Sequence, residues 1–200
     1  MNRNFWKGAV LASAALLTVS STARAEDECS NATLKGLYGF SLRGEFIGFF
    51  DAGGNPHRIP TPDIVDAVFI QKFDGTGAFT RSDYVSSDGF KRPGLTDPTT
   101  GFDTGETGTY TVFPNCTGVM HITFTAPIAS TIIDVRFVLT EEGHRLHGVV
   151  SHQEIAGPFT AEDGTTTCGP TPACNMRAQE SVVGEKFDVE GRTRSRGVGD

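Results

Sequence analysis

The stretch TLKGLYGFSLRGEF, residues 33–46, alternates with period two. Leu34, Gly36, Tyr38, Phe40, Leu42, Gly44 and Phe46 fall on one face, and Thr33, Lys35, Leu37, Gly39, Ser41, Arg43 and Glu45 on the other. Successive strand side chains point to opposite sides, so this pattern predicts a long, half-buried strand. Gly36 and Gly44 remove bulk from the inward face and let the strand bend sharply, as barrel strands must.

The same reading extends along the chain. Ile64 to Phe73 and Ala78 to Val85 flank Asp74-Gly75-Thr76-Gly77, a hairpin signal. That turn faintly resembles a calcium loop but lacks the dense oxygen spacing one needs. Glu106 to Phe113 and Val119 to Ala126 form a second hairpin around Cys116, and Thr131 to Thr140 with Arg145 to Gln153 a third. Centring the third on Glu142-Gly143 pairs Leu139 with Leu146, Phe137 with Gly148, Val135 with Val150 and Ile133 with His152. A one-residue slip would scramble the faces. One further β-prone piece spans Met176 to Phe187, and no internal repeat or long amphipathic helix stands out. Six strands with two more candidates predict an all-β fold: a single antiparallel barrel of about eight strands, calycin-like, with a β-sandwich as the alternative.

The ends read differently. Arg3 and Lys7, then an apolar run from Gly8 to Val19, then Ala23-Arg24-Ala25, form a signal peptide over residues 1–25, with the mature chain starting at Glu26. The run is too short for a membrane anchor, which needs roughly 20 apolar residues. The barrel domain is expected over 26–187, and 188–200 as a disordered tail without apolar periodicity. Removing the leader leaves 14 basic against 24 acidic side chains. So acidic a chain is a poor partner for nucleic acid. Export, periplasmic or extracellular, takes Cys29, Cys116, Cys168 and Cys174 into an oxidising compartment, where disulfides are favoured over a zinc site. Three pairings are open from sequence. The short Cys168–Cys174 loop favours a local bridge, leaving Cys29 with Cys116 to close a long loop worth roughly 4–5 kcal/mol.

Catalytic motifs are missing. The chain has no G-x-S-x-G, Walker loop or H-E-x-x-H, and no cofactor or metal is expected. His144 and His147 point to opposite faces of a strand and cannot chelate together. Asp134 and Arg136 share the outer face and could form a surface ion pair; an inside-out barrel would make them and His147 ligand contacts. Residues 86–105 carry six Gly and Pro and little periodicity, the mark of a functional or mobile loop. A lid over the barrel mouth and an irregular insertion are the two options.

Cys29, then Leu34-Lys35-Gly36-Leu37-Tyr38-Gly39-Phe40, together with Thr107-Gly108-Thr109-Tyr110-Thr111-Val112 and Cys116-Thr117-Gly118, resembles a pattern in exported proteins of soil bacteria for which no activity is established. The resemblance covers roughly residues 29–155. It implies a small barrel similar to lipocalins or to the allene oxide cyclase barrel, and it transfers no catalytic residues. The long 86–105 segment and the second cysteine pair depart from the pattern.

The leading expectation is a non-enzymatic protein that holds a small, mostly apolar molecule. The candidate ligand-binding residues are Tyr38, Phe40, Phe124, Phe137 and His152, with Phe46 also on the aromatic inward face. The competing readings are aromatics that merely fill the barrel of a ligand-free envelope protein, and a cyclase or isomerase. The enzyme would need a polar group, Tyr38 or His152, with a shifted pKa inside the cavity. The oligomeric state is open.

Overall fold

Period-two segments joined by short turns can bury their apolar faces by curling the sheet on itself. The computed structural model describes residues 28–125, 127–128 and 131–187. The leader with its cleavage after Ala25, Ala126 at the end of an expected strand, and the 188–200 tail lie outside the described residues.

The strands are β1 (Lys35–Phe50), β2 (Pro56–Asp74), β3 (Ala78–Ser87), β4 (Phe90–Lys91), β5 (Asp103–Val112), β6 (Thr117–Thr123), β7 (Ile132–Thr140), β8 (Arg145–Ile155), β9 (Phe159–Thr160), β10 (Thr167–Cys168) and β11 (Cys174–Phe187). Eight of them pair antiparallel in the ring β1-β2-β3-β5-β6-β7-β8-β11, and β11 returns to β1. This is an up-and-down barrel; ring closure excludes the sandwich. β4 folds back on β3, and β9 and β10 form a small separate hairpin.

The inward face of β1 is the one expected: Leu34, Tyr38, Phe40, Leu42 and Phe46 are all buried. Inward glycines make room for rings across the ladder. Phe40 pairs with Gly184 and Phe137 with Gly118, and a Cβ on either glycine would collide with the ring. β2 begins eight residues before the expected Ile64. Pro60 and Pro62 break the alternation there, and the β1–β2 register shifts between Phe46 and Gly48 to absorb residues 59–62.

The third hairpin keeps the expected register from Leu139–Leu146 to Val135–Val150 and then shifts. A bulge leaves Asp134 opposite His152 and Ile133 opposite Gln153, so the expected Ile133–His152 pair is corrected by one residue. A bulge inserts one residue, so it inverts the faces beyond it. Gln153 becomes the buried residue.

The two ends of the barrel differ. At the closed end, one 3₁₀ turn (Asn31–Thr33) crosses the opening and seats Leu34 inside. The Tyr38 hydroxyl donates to Gly143 O at 2.6 Å and the Tyr110 hydroxyl to Leu34 O at 2.9 Å. The Cys29–Cys116 disulfide ties this turn to the β5–β6 connection. The Asp74 carboxylate accepts from Thr76 N, Gly77 N and Ala78 N, as a turn residue does. The mouth is covered by longer connections, with Cys168–Cys174 joining the β9–β10 hairpin to the start of β11. Both bridges follow the expected pairing, and such bonds persist in a non-reducing compartment.

Candidate functional site

The interior changes character at Arg81. Toward the closed end it is aromatic. Phe73 is surrounded by Tyr38, Phe40, Phe79 and Tyr110 at ring-centroid distances of 5.0–6.3 Å, two of them edge-to-face. Phe40 stacks on Phe69 at 4.7 Å, and the Arg81 guanidinium lies 3.7 Å over the outer face of Phe69. This region is filled. Beside Gln71 and Phe40 only a void of about 10 Å³ remains, room for one water at most.

Toward the mouth the interior is charged. Inward positions of β3 read Phe79, Arg81, Asp83 and Val85, all buried. Arg81 Nε and Nη2 donate to Asp83 Oδ2 at 3.1 and 2.7 Å. Arg92, from the segment after β4, donates through Nη2 to Asp83 Oδ1 at 2.9 Å and to Glu106 Oε1 at 2.7 Å. Two cations and two carboxylates are thereby matched in a site from which water is largely excluded. Burial raises the Glu106 carboxyl, with Arg81 opposing the shift and Asp83 adding to it. Nearby, Lys91 Nζ donates to the buried Asp103 at 2.6 Å. Residues 86–105 thus supply Lys91 and Arg92 and bring Pro93 to the mouth, while Phe102 packs beside Tyr84, Val68 and Ile70 on the outer wall.

Above this quartet lies a partly open cavity of about 280 Å³. Leu42, Phe46, Val65, Ala67, Ile133 and Phe159 line it, together with Pro93, Ile128 and Ile155 from its rim. Its polar lining includes Arg81, Arg92, Gln153 and Glu180, with Asp63 also contributing. Concavities on the outer wall, such as the one beside Gly118 and Gly148, are shallow and open to solvent.

Glu180 is the unusual member. It is 5% exposed, and its Oε1 has no hydrogen-bond partner among the described residues. Desolvation pushes its carboxyl up to about 7, with Arg81 pulling the other way. Gly44 makes its place: the two residues pair across β1 and β11, and a Cβ at Gly44 would lie 2.5 Å from Glu180 Cγ. Gln153, equally buried, also leaves its Oε1 without a partner among those residues. The β8–β11 register breaks between Asn175 and Ser181, beside both groups.

The sequence candidates fall in three places. Tyr38, Phe40 and Phe137 sit in the filled aromatic end. Burial, then Tyr110, pushes the Tyr38 hydroxyl up to about 12. Phe124 is buried with its ring 4.7 Å from the Arg92 guanidinium, so it supports the charged quartet. His152, moved off the inward face by the bulge, is half-exposed and contacts Glu154 at 3.2 Å. Of the inward aromatics, Phe46 does line the cavity. Asp134 lies on the outer wall and pairs with His121 at 2.6 Å; the expected ion pair with Arg136 is not among the bonds formed, and that face does not line the interior. Arg81, Asp83, Arg92, Glu106, Gln153 and Glu180 escaped the sequence reading. Their one signal is parity: Arg81 and Asp83 alternate in step with Phe79 and Val85, and Glu180 with Met176 and Val182.

Neither protein-family models nor curated protein sequences give a match to this chain.

Proposed function

We propose that the protein is an exported, lipocalin-like barrel that binds one small molecule in its mouth, a ligand with an apolar body and a polar group. The observation that carries this reading is the mouth cavity whose lining includes Glu180 and Gln153, each with a buried, unpartnered oxygen. A buried polar atom without a partner is destabilising by about 1–3 kcal/mol, and a ligand that supplies the missing hydrogen bond recovers it. A volume near the lower end of ligand pockets, about 300–1,000 Å³, suits a compact molecule. The signal-like leader and the two disulfides support delivery to the periplasm or the medium.

Native mass spectrometry of the mature protein, purified from its own host under non-reducing conditions, tests this reading. The expected spectrum carries a reproducible extra mass that is lost on denaturation and is missing from an Ala67→Leu variant, which fills the cavity. A bare mass for both proteins supports a ligand-free envelope protein instead.

The raised carboxyl of Glu180 favours a second reading, a cyclase or isomerase. A carboxyl titrating near neutral pH is suited to moving a proton at a bound substrate. Glu180→Gln separates the two: an enzyme retains binding and loses turnover of the identified ligand, whereas a carrier shows no turnover in either form.

A further inference from the structure

We propose that the mouth cavity selects a small organic cation, a protonated amine on an apolar body, with Glu180 and Gln153 accepting its N–H hydrogens. This rests on the cavity being a ligand site and names the class of ligand.

Acid exceeds base around the cavity. Full ionisation sets two guanidiniums, Arg81 and Arg92, against three carboxylates, Asp83, Glu106 and Glu180. The quartet of Arg81, Arg92, Asp83 and Glu106 is internally matched, so the excess negative charge belongs to Glu180. A buried charge without compensation is neutralised by a proton or by a counter-ion. Burial already favours the proton, and a cationic ligand would displace it. Asp63, also in the lining, adds a second acid, its carboxyl raised by desolvation and by Asp88.

Acceptors predominate among the free hydrogen-bonding groups of the lining. The buried, unpartnered oxygens of Glu180 and Gln153 outnumber its one buried, unpartnered donor, Arg92 Nε, and match a ligand that donates. An anion would meet only that Nε, on a guanidinium whose Nη2 already holds Asp83 and Glu106, while Arg81 is taken up by Asp83. Phe46, Val65, Ile133 and Phe159 provide the apolar wall for the rest of the molecule.

Affinity for an amine then depends on pH through Glu180. The charged group that acts on it is Arg81 from β3; Arg92 from the following segment and Asp63 from β2 share its cavity, Asp83 from β3 and Glu106 from β5 lie behind Arg81, and Gln153 from β8 does not titrate. Below a carboxyl titrating near 7, binding must expel the proton, so affinity falls by up to about tenfold per pH unit.

Calorimetric titration of the mature, disulfide-intact protein with benzylamine, benzyl alcohol and benzoate tests the proposal. Near pH 8, benzylamine should bind about tenfold or more tighter than benzyl alcohol, as a charge-assisted hydrogen bond requires, and benzoate weakest. Near pH 5.5 the amine preference should shrink by about tenfold or more. Glu180→Gln should abolish the preference by weakening benzylamine far more than benzyl alcohol, without lowering the thermal midpoint. Should that variant not fold, Gln153→Leu is expected to weaken benzylamine by about tenfold, the value of one hydrogen bond to a charge. Benzyl alcohol or benzoate binding as tightly as benzylamine overturns the cation and leaves the ligand cavity standing. Saturable binding of none of the three overturns both.

Discussion

At the closed end Phe40 lies over Gly184 and Phe137 over Gly118; at the mouth Glu180 lies over Gly44. The same device, a side chain filling the space its neighbour's missing Cβ leaves, serves opposite purposes. A ring seated this way gains burial and contacts at any pH. A carboxyl seated this way loses hydration and leaves an oxygen unpartnered, which destabilises the fold unless something else occupies the site. One end of the barrel is therefore built for stability and the other gives some of it up.

That difference can be broken from either side. Replacing Cys29 and Cys116 by alanine opens an 87-residue loop at the closed end. It should remove roughly 4–5 kcal/mol in denaturant unfolding, the largest single loss expected. Phe73→Ala should remove about 3–5 kcal/mol by leaving a cavity among four rings, equally at pH 5 and pH 8 and without changing probe binding at the mouth. Arg81→Leu should lose a comparable ~3–5 kcal/mol near neutral pH, because Asp83 and Glu106 are left short of a cation. Its loss should shrink in acid as those carboxylates take up protons, whereas the Phe73→Ala loss should not. Equal pH dependence in the two variants would erase the distinction between the ends.

Glu180 gives a finer measurement. Its carboxyl titrates near 7 in the folded protein against an ordinary 4.5. Between those values the folded state holds a proton that the unfolded chain has released, so stability falls as pH rises. The contribution is fully present below 4.5 and gone above 7, a loss of about 3 kcal/mol at about 1.4 kcal/mol per pH unit. Glu180→Gln should show a shallower decline across that window, with the remaining slope coming from Glu106. An unchanged slope would remove Glu180 from the account. The smallest effect is expected from Cys168→Ala with Cys174→Ala, roughly 2 kcal/mol for so short a loop, with weaker ligand retention because the β9–β10 hairpin carries Phe159.

Residues 33–46 announce the barrel because every second side chain is apolar or glycine, and the third hairpin announces its register for the same reason. The disulfide pairing is legible from spacing and is the pairing found. The site is harder to read because it violates the rule that exposes the fold. Arg81 and Asp83 look like an outward polar stretch unless their parity with Phe79 and Val85 is weighed. His152 looked inward and Gln153 outward because one extra residue in β8, invisible to a strict alternation, exchanges them. Arg92 carries no such signal, since its place depends on how the irregular segment 86–105 folds back on β3.

The first and last strands of the ring are also neighbours: β1 lies against β11 along thirteen paired positions. A chain emerging N-terminus first, from a ribosome or through a channel, therefore leaves β1 with one bare edge until residues 174–187 arrive. Assembly of the ring waits on its final segment, and Glu180 rides on that segment. The mouth cavity is thus the last part of the molecule to come into being, and a chain cut short before β11 has neither a closed wall nor the carboxyl in the cavity lining.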